Sequence, residues 1–332
     1  MRFPADFGAH PETRTEWWYV TGSLQSGSRV WGFQVTFFRS ATGIEAAQTS
    51  RFNPSQLLFA HAALTDIEQQ RLRHDQRIAR RGFGVAHARD DDTDITLHDW
   101  RISRVPLPGD ASRSRYRARV ASDRTGFALD LQCDGTQVVL PQGDGGVSKK
   151  GPGATDVSRY YSEPQLAVRG MLTLDGTPVA VQGRAWLDHE WSDAFIPPQA
   201  VGWDWVGMNL DDGSALTAFR LRRADGADVY AGGSFRRAGG AVRNFGPGDV
   251  HFTPGRLWQS AASRARYPVQ WTIETPAGRF SVNALLDNQE LDSRASTGAI
   301  YWEGLSDLLD EAGHRIGRGY LEMTGYASAL RL

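Results

Sequence analysis

A strand–turn–strand pattern occurs twice in this 332-residue sequence, 186 positions apart. Apolar and polar residues alternate on either side of a Gly-Ser turn, which is typical of a β-hairpin with one aromatic face. Because the match extends through both strands and the turn, it indicates duplicated structural units. The matching pairs are Trp17 and Trp203, Leu24 and Leu210, Gly27 and Gly213, Ser28 and Ser214, and Phe33 and Phe219.

A second repeated pattern closes each half of the chain. Residues 170–190 and 304–326 both contain a strand, an acidic turn with glycine, and a strand that begins Gly-Arg. Together the opening and closing hairpins predict two β-domains, residues 1–192 and 193–332. Residues 195–198 form the predicted linker, since the Pro-Pro pair within it cannot lie in a central strand.

The composition supports an all-β fold. The chain has 36 Gly, 15 Phe, 11 Trp and 9 Tyr, a combination typical of tight turns and aromatic strands. It is also longer than one ordinary hydrophobic core accommodates. Runs of short strands in each half predict two tandem antiparallel barrels or sandwiches.

Charge and hydropathy limit the possible partners. A net charge of −1 gives no reason to expect nucleic acid or an anionic membrane surface. No apolar run approaches the roughly 18 residues of a transmembrane helix. Cys133 stands alone, so it forms no internal disulfide, and we expect a buried core residue rather than a nucleophile. The oligomeric state is left open.

The densest candidate site lies in residues 183–213. Four tryptophans, Trp186, Trp191, Trp203 and Trp205, surround the charged side chains there. Burying charged groups among indole rings is unfavourable unless each charge is paired, and it shifts their pKa values. The stretch is therefore either a domain junction with structural charges or a functional site. The predicted catalytic residues are Asp204, His189, Asp188 and Glu190.

Strand alternation separates these side chains into faces. Asp188 and Glu190 point to one side and His189 to the other, while Asp204 lies opposite its neighbouring tryptophans. We expect Asp204 and His189 to face an internal site, with Trp191 close by. Glu190 is equally well explained as a structural hydrogen-bond acceptor.

A second cluster surrounds Glu16, for which a structural role that ties the first strand to a loop or an arginine is favoured. The segment 142–157 is rich in Gly and Lys, and we expect a flap near the mouth of a pocket. The predicted substrate-binding residues are Trp191, Trp203, Trp205, Glu16, Trp17, Trp18, Tyr160 and Tyr161.

Other chemistries find less support. The sequence has no Gly-x-Ser-x-Gly motif and no glycine-rich nucleotide loop. His10, His61 and His189 lack the short spacing of common metal ligands, so we predict no metal and no cofactor.

Several motifs resemble the AttH/hydroxyneurosporene synthase family, which includes carotenoid hydratases and many proteins labelled only as hydrolases. They are HPETRTEWWYVTG at residues 10–22, FAHAALTD at 59–66, KKG at 149–151, YYSEPQLAVRG at 160–170, GRAWLDHEWS at 183–192, GWDWVGMNLDDG at 202–213 and GYLEMTGYA at 319–327. The resemblance implies a tandem pair of lipocalin-like (calycin) barrels with a large apolar pocket. It also implies a periplasmic or secreted protein whose leader has been removed, while the absence of an apolar leader leaves a cytoplasmic location open.

The implied activity is acid-initiated protonation of a carbon–carbon double bond in a hydrophobic isoprenoid or polyene, leading to hydration, isomerisation or cyclisation. Such a reaction needs a protonated acid, which an apolar pocket favours, aromatic faces for the cation, and a group that orients water. The candidate residues supply each of these. One alternative is a non-catalytic lipocalin-like protein that binds a lipid or isoprenoid. Another is a structural stress-response protein whose barrels are filled by their own side chains.

Overall fold

The computed structural model describes residues 1–44, 53–194 and 196–330. Within them, a single 3₁₀ turn at Ala5–Phe7 precedes a chain of antiparallel strands. The predicted all-β fold is therefore confirmed, and the strands form two large sheets. None of the helical segments in the described residues is long and apolar enough to cross a membrane.

The first sheet contains thirteen strands in the order β4-β3-β2-β1-β13-β12-β9-β8-β7-β6-β5, with β10 and β11 paired to β12. Its strands are β1 (Thr15–Ser26), β2 (Arg29–Ala41), β3 (Gln56–Asp66), β4 (Arg71–Arg80), β5 (Ala86–Ala88), β6 (Asp94–Leu97), β7 (Trp100–Leu107), β8 (Asp110–Ser122), β9 (Phe127–Asp134), β10 (Leu140–Pro141), β11 (Val147–Lys149), β12 (Val157–Leu174) and β13 (Thr177–Ser192).

The second sheet contains ten strands in the order β17-β16-β15-β14-β25-β24-β22-β21-β18, with β23 paired to β24, and β19 and β20 form a separate ribbon. These strands are β14 (Gly202–Leu210), β15 (Ala215–Arg222), β16 (Asp228–Arg236), β17 (Val242–Phe245), β18 (His251–Pro254), β19 (Leu257–Gln259), β20 (Arg266–Pro268), β21 (Gln270–Thr275), β22 (Gly278–Ala284), β23 (Glu290–Ser293), β24 (Ala299–Leu309) and β25 (Arg315–Met323).

Each sheet curls into a nearly closed barrel around its own apolar core. Trp18, Trp31 and Trp100 are fully buried in the first, and Trp271 and Trp302 in the second. The two sheets thus occupy residues 15–192 and 202–323. The domain boundary at 192/193 stays a prediction. Phe195 of the predicted linker and residues 331–332 of the second domain lie outside the described residues.

The sequence repeat corresponds to equivalent places in the two sheets. β1 lies between β2 and β13, and β14 lies between β15 and β25. The return strands are offset, however. Trp17 pairs with Phe38 and Trp203 with Leu221, whereas a strict 186-residue offset would place the counterpart of Phe38 at 224, three positions further on. Phe33 and Phe219 therefore do not occupy equivalent positions in the two sheets, and their alignment is wrong. The reason is the length of the first strand: β14 turns directly after Leu210, while β1 continues to pair with β2 up to Ser26.

The two barrels pack closely against each other through the repeated strands. At Gly32 on β2, a Cβ atom would lie only 2.8 Å from the Leu305 Cβ and 2.7 Å from the Tyr320 hydroxyl of the second sheet. Any side chain at this position would push the sheets apart. β2 thus packs directly against β24 and β25, while β1 contacts β25 and β13 contacts β14.

Candidate functional site

A cavity of about 1000 Å³, which includes open solvent at its mouth, lies between the two sheets. Strands β1, β2, β3, β12 and β13 form one wall, and β14, β15, β24 and β25 form the other. The aromatic residues that line the cavity are Trp17, Tyr19, Phe38, Tyr160, Trp203, Trp205, Phe219 and Tyr301.

The internal repeat builds both walls from equivalent positions. Trp17 and Trp203 line the cavity from β1 and β14, and so does Tyr19 with its counterpart 186 residues on, Trp205. The motif GRAWLD at residues 183–188 matches GRGYLE at 317–322, which aligns Asp188 on β13 with Glu322 on β25. Both of these carboxyl groups line the cavity. An acid and two aromatic rings thus recur on each wall.

Asp188 is a buried acid on the first wall, 4% exposed. The Ser162 hydroxyl and the Trp186 indole N–H donate hydrogen bonds to its Oδ1, at 2.6 and 2.7 Å. Burial raises the pKa of Asp188 to about 7, although these hydrogen bonds act in the opposite direction. This carboxyl group is therefore poised between its charged and neutral forms near neutral pH.

Glu303 on β24 and Glu322 on β25 face each other across the second wall. Both carboxyl oxygens of Glu303 are buried and make no hydrogen bond of normal geometry among the residues that the structure describes, although the nearby Tyr19 hydroxyl favours the ionised form of Glu303. Burial, with the charge of Glu322 added, raises the pKa of Glu303 well above its ordinary value. Burial raises the pKa of Glu322 to about 7, and a hydrogen bond with Trp203 opposes this. Two such neighbours do not ionise together, so the pair retains at least one proton near neutral pH.

Lys150 contributes a cation to the same cavity. Its Nζ lies 2.9 Å from the Glu190 Oε1, and 4.8 and 4.5 Å from the ring centroids of Tyr160 and Phe219. The segment 142–157, predicted as a flap, therefore reaches the cavity through Lys150. Its mobility stays a prediction.

His189 and Glu16 lie away from the cavity, inside the first barrel. Glu16 Oε1 is 2.9 Å from His189 Nε2 and 2.8 Å from His10 Nδ1, and Arg39 Nε donates to Glu16 Oε2 at 2.8 Å. Burial alone would raise the pKa of Glu16, but its hydrogen bonds with both histidines, helped by the charge of Arg39, lower it to about 2. The arginine predicted to hold Glu16 is Arg39. Although the three ligand-type side chains come within 4.8 Å of one another, the buried guanidinium already supplies a cation at this carboxylate.

The aromatic residues predicted around His189 are found in that interior cluster. Trp191 stacks on His10 with ring centroids 3.8 Å apart, and Trp18 stacks on His189 at 4.5 Å. The Tyr161 hydroxyl lies 3.1 Å from His189 Nδ1. None of these three aromatic side chains is among the described residues that line the cavity.

Asp204 is buried in the second barrel, on the face opposite the cavity. Arg220 Nε and Arg222 Nε lie 2.7 and 3.0 Å from its Oδ2, and the Tyr326 hydroxyl donates to Oδ1 at 2.9 Å. Asp204 and His189 thus occupy the interiors of different barrels and do not share one site. A catalytic role for either stays a prediction.

The predicted alternation of faces is observed, and it divides the candidates. The cavity contains Asp188, Glu190, Trp17, Trp203, Trp205 and Tyr160. Sequence reasoning missed Glu303, Glu322, Tyr19, Tyr301 and Lys150. The match between GRAWLD and GRGYLE was the signal that could have identified Glu322, and Glu303 is its cross-strand neighbour.

Comparison with known proteins adds the following findings. The model of the AttH-like family matches residues 1–326. The crystal structure of an AttH candidate from Nitrosomonas europaea has 45% sequence identity and a TM-score of 0.89, over 98% of this chain and 97% of that one. No curated protein sequence matches the chain at a significant level.

Two more distant structures have the same fold. Kievitone hydratase from Nectria haematococca is 15% identical, with a TM-score of 0.73 over 99% of this chain and 93% of its own. CghA is 14% identical, with a TM-score of 0.56 over 95% and 88% of the two chains. These likenesses confirm the predicted lipocalin-like architecture and, at such low identity, concern the fold alone.

Proposed function

The chain belongs to the AttH-like family, and on that premise we propose that the cavity between the barrels binds a small, largely apolar molecule and protonates a carbon–carbon double bond in it. Hydration is the simplest outcome, and isomerisation or cyclisation follows from the same first step. An isoprenoid or polyene is the proposed substrate class, because the aromatic walls suit an extended unsaturated molecule.

The observation that carries this proposal is the carboxyl group of Glu303. It is 3% exposed, lies at the cavity wall and makes no hydrogen bond of normal geometry within the described parts of the chain, with the Tyr19 hydroxyl as a neighbouring donor. A buried carboxyl without a partner favours its neutral form, and the neutral form is the one that donates a proton. An unsatisfied buried polar group is also unfavourable for stability, so Glu303 is a group whose presence at the cavity wall invites a functional explanation.

The proposed reaction starts when the Glu303 carboxyl gives its proton to one alkene carbon. The π electron pair forms the new C–H bond and leaves a cation on the other carbon, which the surrounding aromatic faces stabilise by about 0.5–2 kcal/mol each. A water oxygen then bonds to that carbon. Its surplus proton passes to a carboxylate, for which Asp188 on the opposite wall is suited by its pKa of about 7. The net change is addition of one water molecule, and Glu303 is reprotonated from solvent.

A second candidate function is binding without reaction. It is favoured by the aromatic lining of the cavity, which suits an apolar molecule, although the cavity lies between the barrels and not inside one of them. The kievitone hydratase likeness supports the catalytic proposal only through the shared fold.

The two functions are separated by incubating the protein with a panel of polyenes and isoprenoids in oxygen-18 water, followed by mass spectrometry. A labelled adduct is expected, and Glu303→Gln is expected to abolish it. The matched control is Asp130→Asn, whose side chain lies on the outer surface beside Arg117, and it should retain full activity. Ligand recovered bound but unaltered would favour the binding function. Undiminished turnover by Glu303→Gln would exclude Glu303 as the proton donor.

A further inference from the structure

The cavity contains an excess of acidic groups. Four carboxyl groups line it, from Asp188, Glu190, Glu303 and Glu322, against one ammonium group, that of Lys150, among the described lining residues. His61 also lines the cavity, but burial lowers its pKa to about 3, so it carries no charge at neutral pH. At pH 8, above the pKa of about 7 of Asp188 and of Glu322, the ionised carboxylates outnumber the ammonium group and give this low-dielectric cleft a negative potential.

Lys150 shows how this cavity holds a cation. Its ammonium group contacts the Glu190 carboxylate at 2.9 Å and lies over the rings of Tyr160 and Phe219. A carboxylate and two ring faces are the usual components of an ammonium-binding site.

The second wall repeats these components. Glu303 and Glu322 lie side by side there, and Trp205 of this wall packs edge-to-face against Tyr19 of the first wall at 5.5 Å between centroids. Both rings line the cavity, as does Tyr301. No lysine or arginine is among the described residues that line this wall. Glu303 is buried, makes no hydrogen bond of normal geometry in the described chain and has the Tyr19 hydroxyl and Glu322 as polar neighbours, so it is the group that a cationic ligand would satisfy.

We propose that the cavity prefers apolar molecules with a positively charged centre to neutral molecules of the same shape. It holds the charged centre beside Glu303 and Glu322, and it rejects carboxylates. This inference deepens the proposed function and rests on it only in placing the ligand in the same cavity. An ammonium ion is the stable form of such a centre, and a protonated alkene is the transient form. Fatty acids are thereby excluded as ligands.

The test compares three small probes by isothermal titration calorimetry at pH 8. They are (4-hydroxyphenyl)trimethylammonium, its neutral isostere 4-tert-butylphenol, and 4-hydroxybenzoate. The ammonium probe is expected to bind at least about tenfold more tightly than the isostere, in line with one cation–π contact and one charge contact in a desolvated site. The carboxylate is expected not to bind. Equal affinity for the first two probes, or no binding of the ammonium probe, would overturn the inference.

Variants test which residues cause the preference for the ammonium probe. In Glu303→Gln/Glu322→Gln the preference should fall to about twofold or less, whereas Asp130→Asn should keep it. Thermal unfolding of each variant verifies that it is folded, and Glu303→Gln alone, which should weaken the preference in part, serves if the double variant is not. A full preference in a folded double variant would contradict the assignment to these two residues.

The pH dependence provides a second readout. Because the ammonium probe binds the ionised carboxylates, its affinity should rise as the pH increases from 5 to 8. Its binding should also release protons from carboxyl groups that are protonated in the free protein. The neutral isostere should show neither effect. The titratable groups that line the cavity are Asp188, Glu190, Glu303, Glu322, Lys150, His61, Tyr19, Tyr160 and Tyr301. Failure of this selectivity leaves the labelled-water assay unaffected, and failure of that assay leaves cation binding standing, so the two proposals fail separately.

Discussion

Replacing Asp188 by Asn is expected to stabilise the protein at pH 8 and to have little effect at pH 4. Burial raises the pKa of Asp188 from 3.8 to about 7 in the folded protein. At about 1.4 kcal/mol per pH unit, this shift lowers the free energy of unfolding by about 4 kcal/mol at pH values where Asp188 is ionised in both states. The folded pKa lies above the unfolded one, so the stability of the wild type falls as the pH rises from about 4 to about 7.

Asp188→Asn has no ionisable group at this position, so its stability should not fall with pH in this way. An amide oxygen can still accept the hydrogen bonds of Ser162 and Trp186, so we expect a gain in the free energy of unfolding of about 2–4 kcal/mol at pH 8. Urea unfolding followed by tryptophan fluorescence, at several values between pH 4 and pH 8, measures it. Asp130→Asn, a change in a half-exposed surface ion pair, should show no gain that grows with pH. A difference between Asp188→Asn and the wild type that is independent of pH, or a loss at pH 8, would refute the reasoning.

Three further predictions follow from other contacts. Glu16→Gln should lose about 3 kcal/mol at pH 7, because it leaves the buried guanidinium of Arg39 without its carboxylate. In urea unfolding this loss should shrink as the pH falls from 4.5 towards 2, since the pKa of Glu16 is lowered to about 2; a loss that persists unchanged would contradict the pairing. Lys150→Met should bind (4-hydroxyphenyl)trimethylammonium more tightly in calorimetry, because it frees Glu190, and weaker binding would argue against selection by charge. Cys133 should not react with a thiol reagent at pH 8 in the folded protein, because burial raises its pKa to about 12, whereas fast labelling would show that it is accessible.

The fold could be predicted because its signals are local. The alternation around Asp188 and Trp203 sets which side chains share a face, and the repeat of Trp17 at Trp203 indicates two equivalent hairpins. The resemblance of the motifs to a known family pointed to the same architecture. These signals do not depend on how the two barrels meet.

The site could be predicted only in part, because it forms where the barrels meet. Alternation separates Asp188 from His189 but does not say which face of the strand meets the other sheet. The prediction that Asp204 and His189 face one internal site assumed the wrong face, since the structure places them in the interiors of different barrels. Glu303 lies 115 positions beyond Asp188 in the sequence, and its exposure to the cavity depends on the packing of β24 against β1 and β2. The close approach of the two sheets at Gly32, which is one part of this packing, has no signature in the sequence.

The central claim is that the cavity holds a protonated acid at neutral pH. The most direct test is carbon-13 NMR of the glutamate side-chain carboxyls, with the pH titrated from 3 to 9. We predict at least one glutamate that is still protonated at pH 7 and whose signal disappears in Glu303→Gln. If every glutamate carboxyl is fully ionised by pH 6, the cavity has no proton donor of this kind and the proposed chemistry is contradicted.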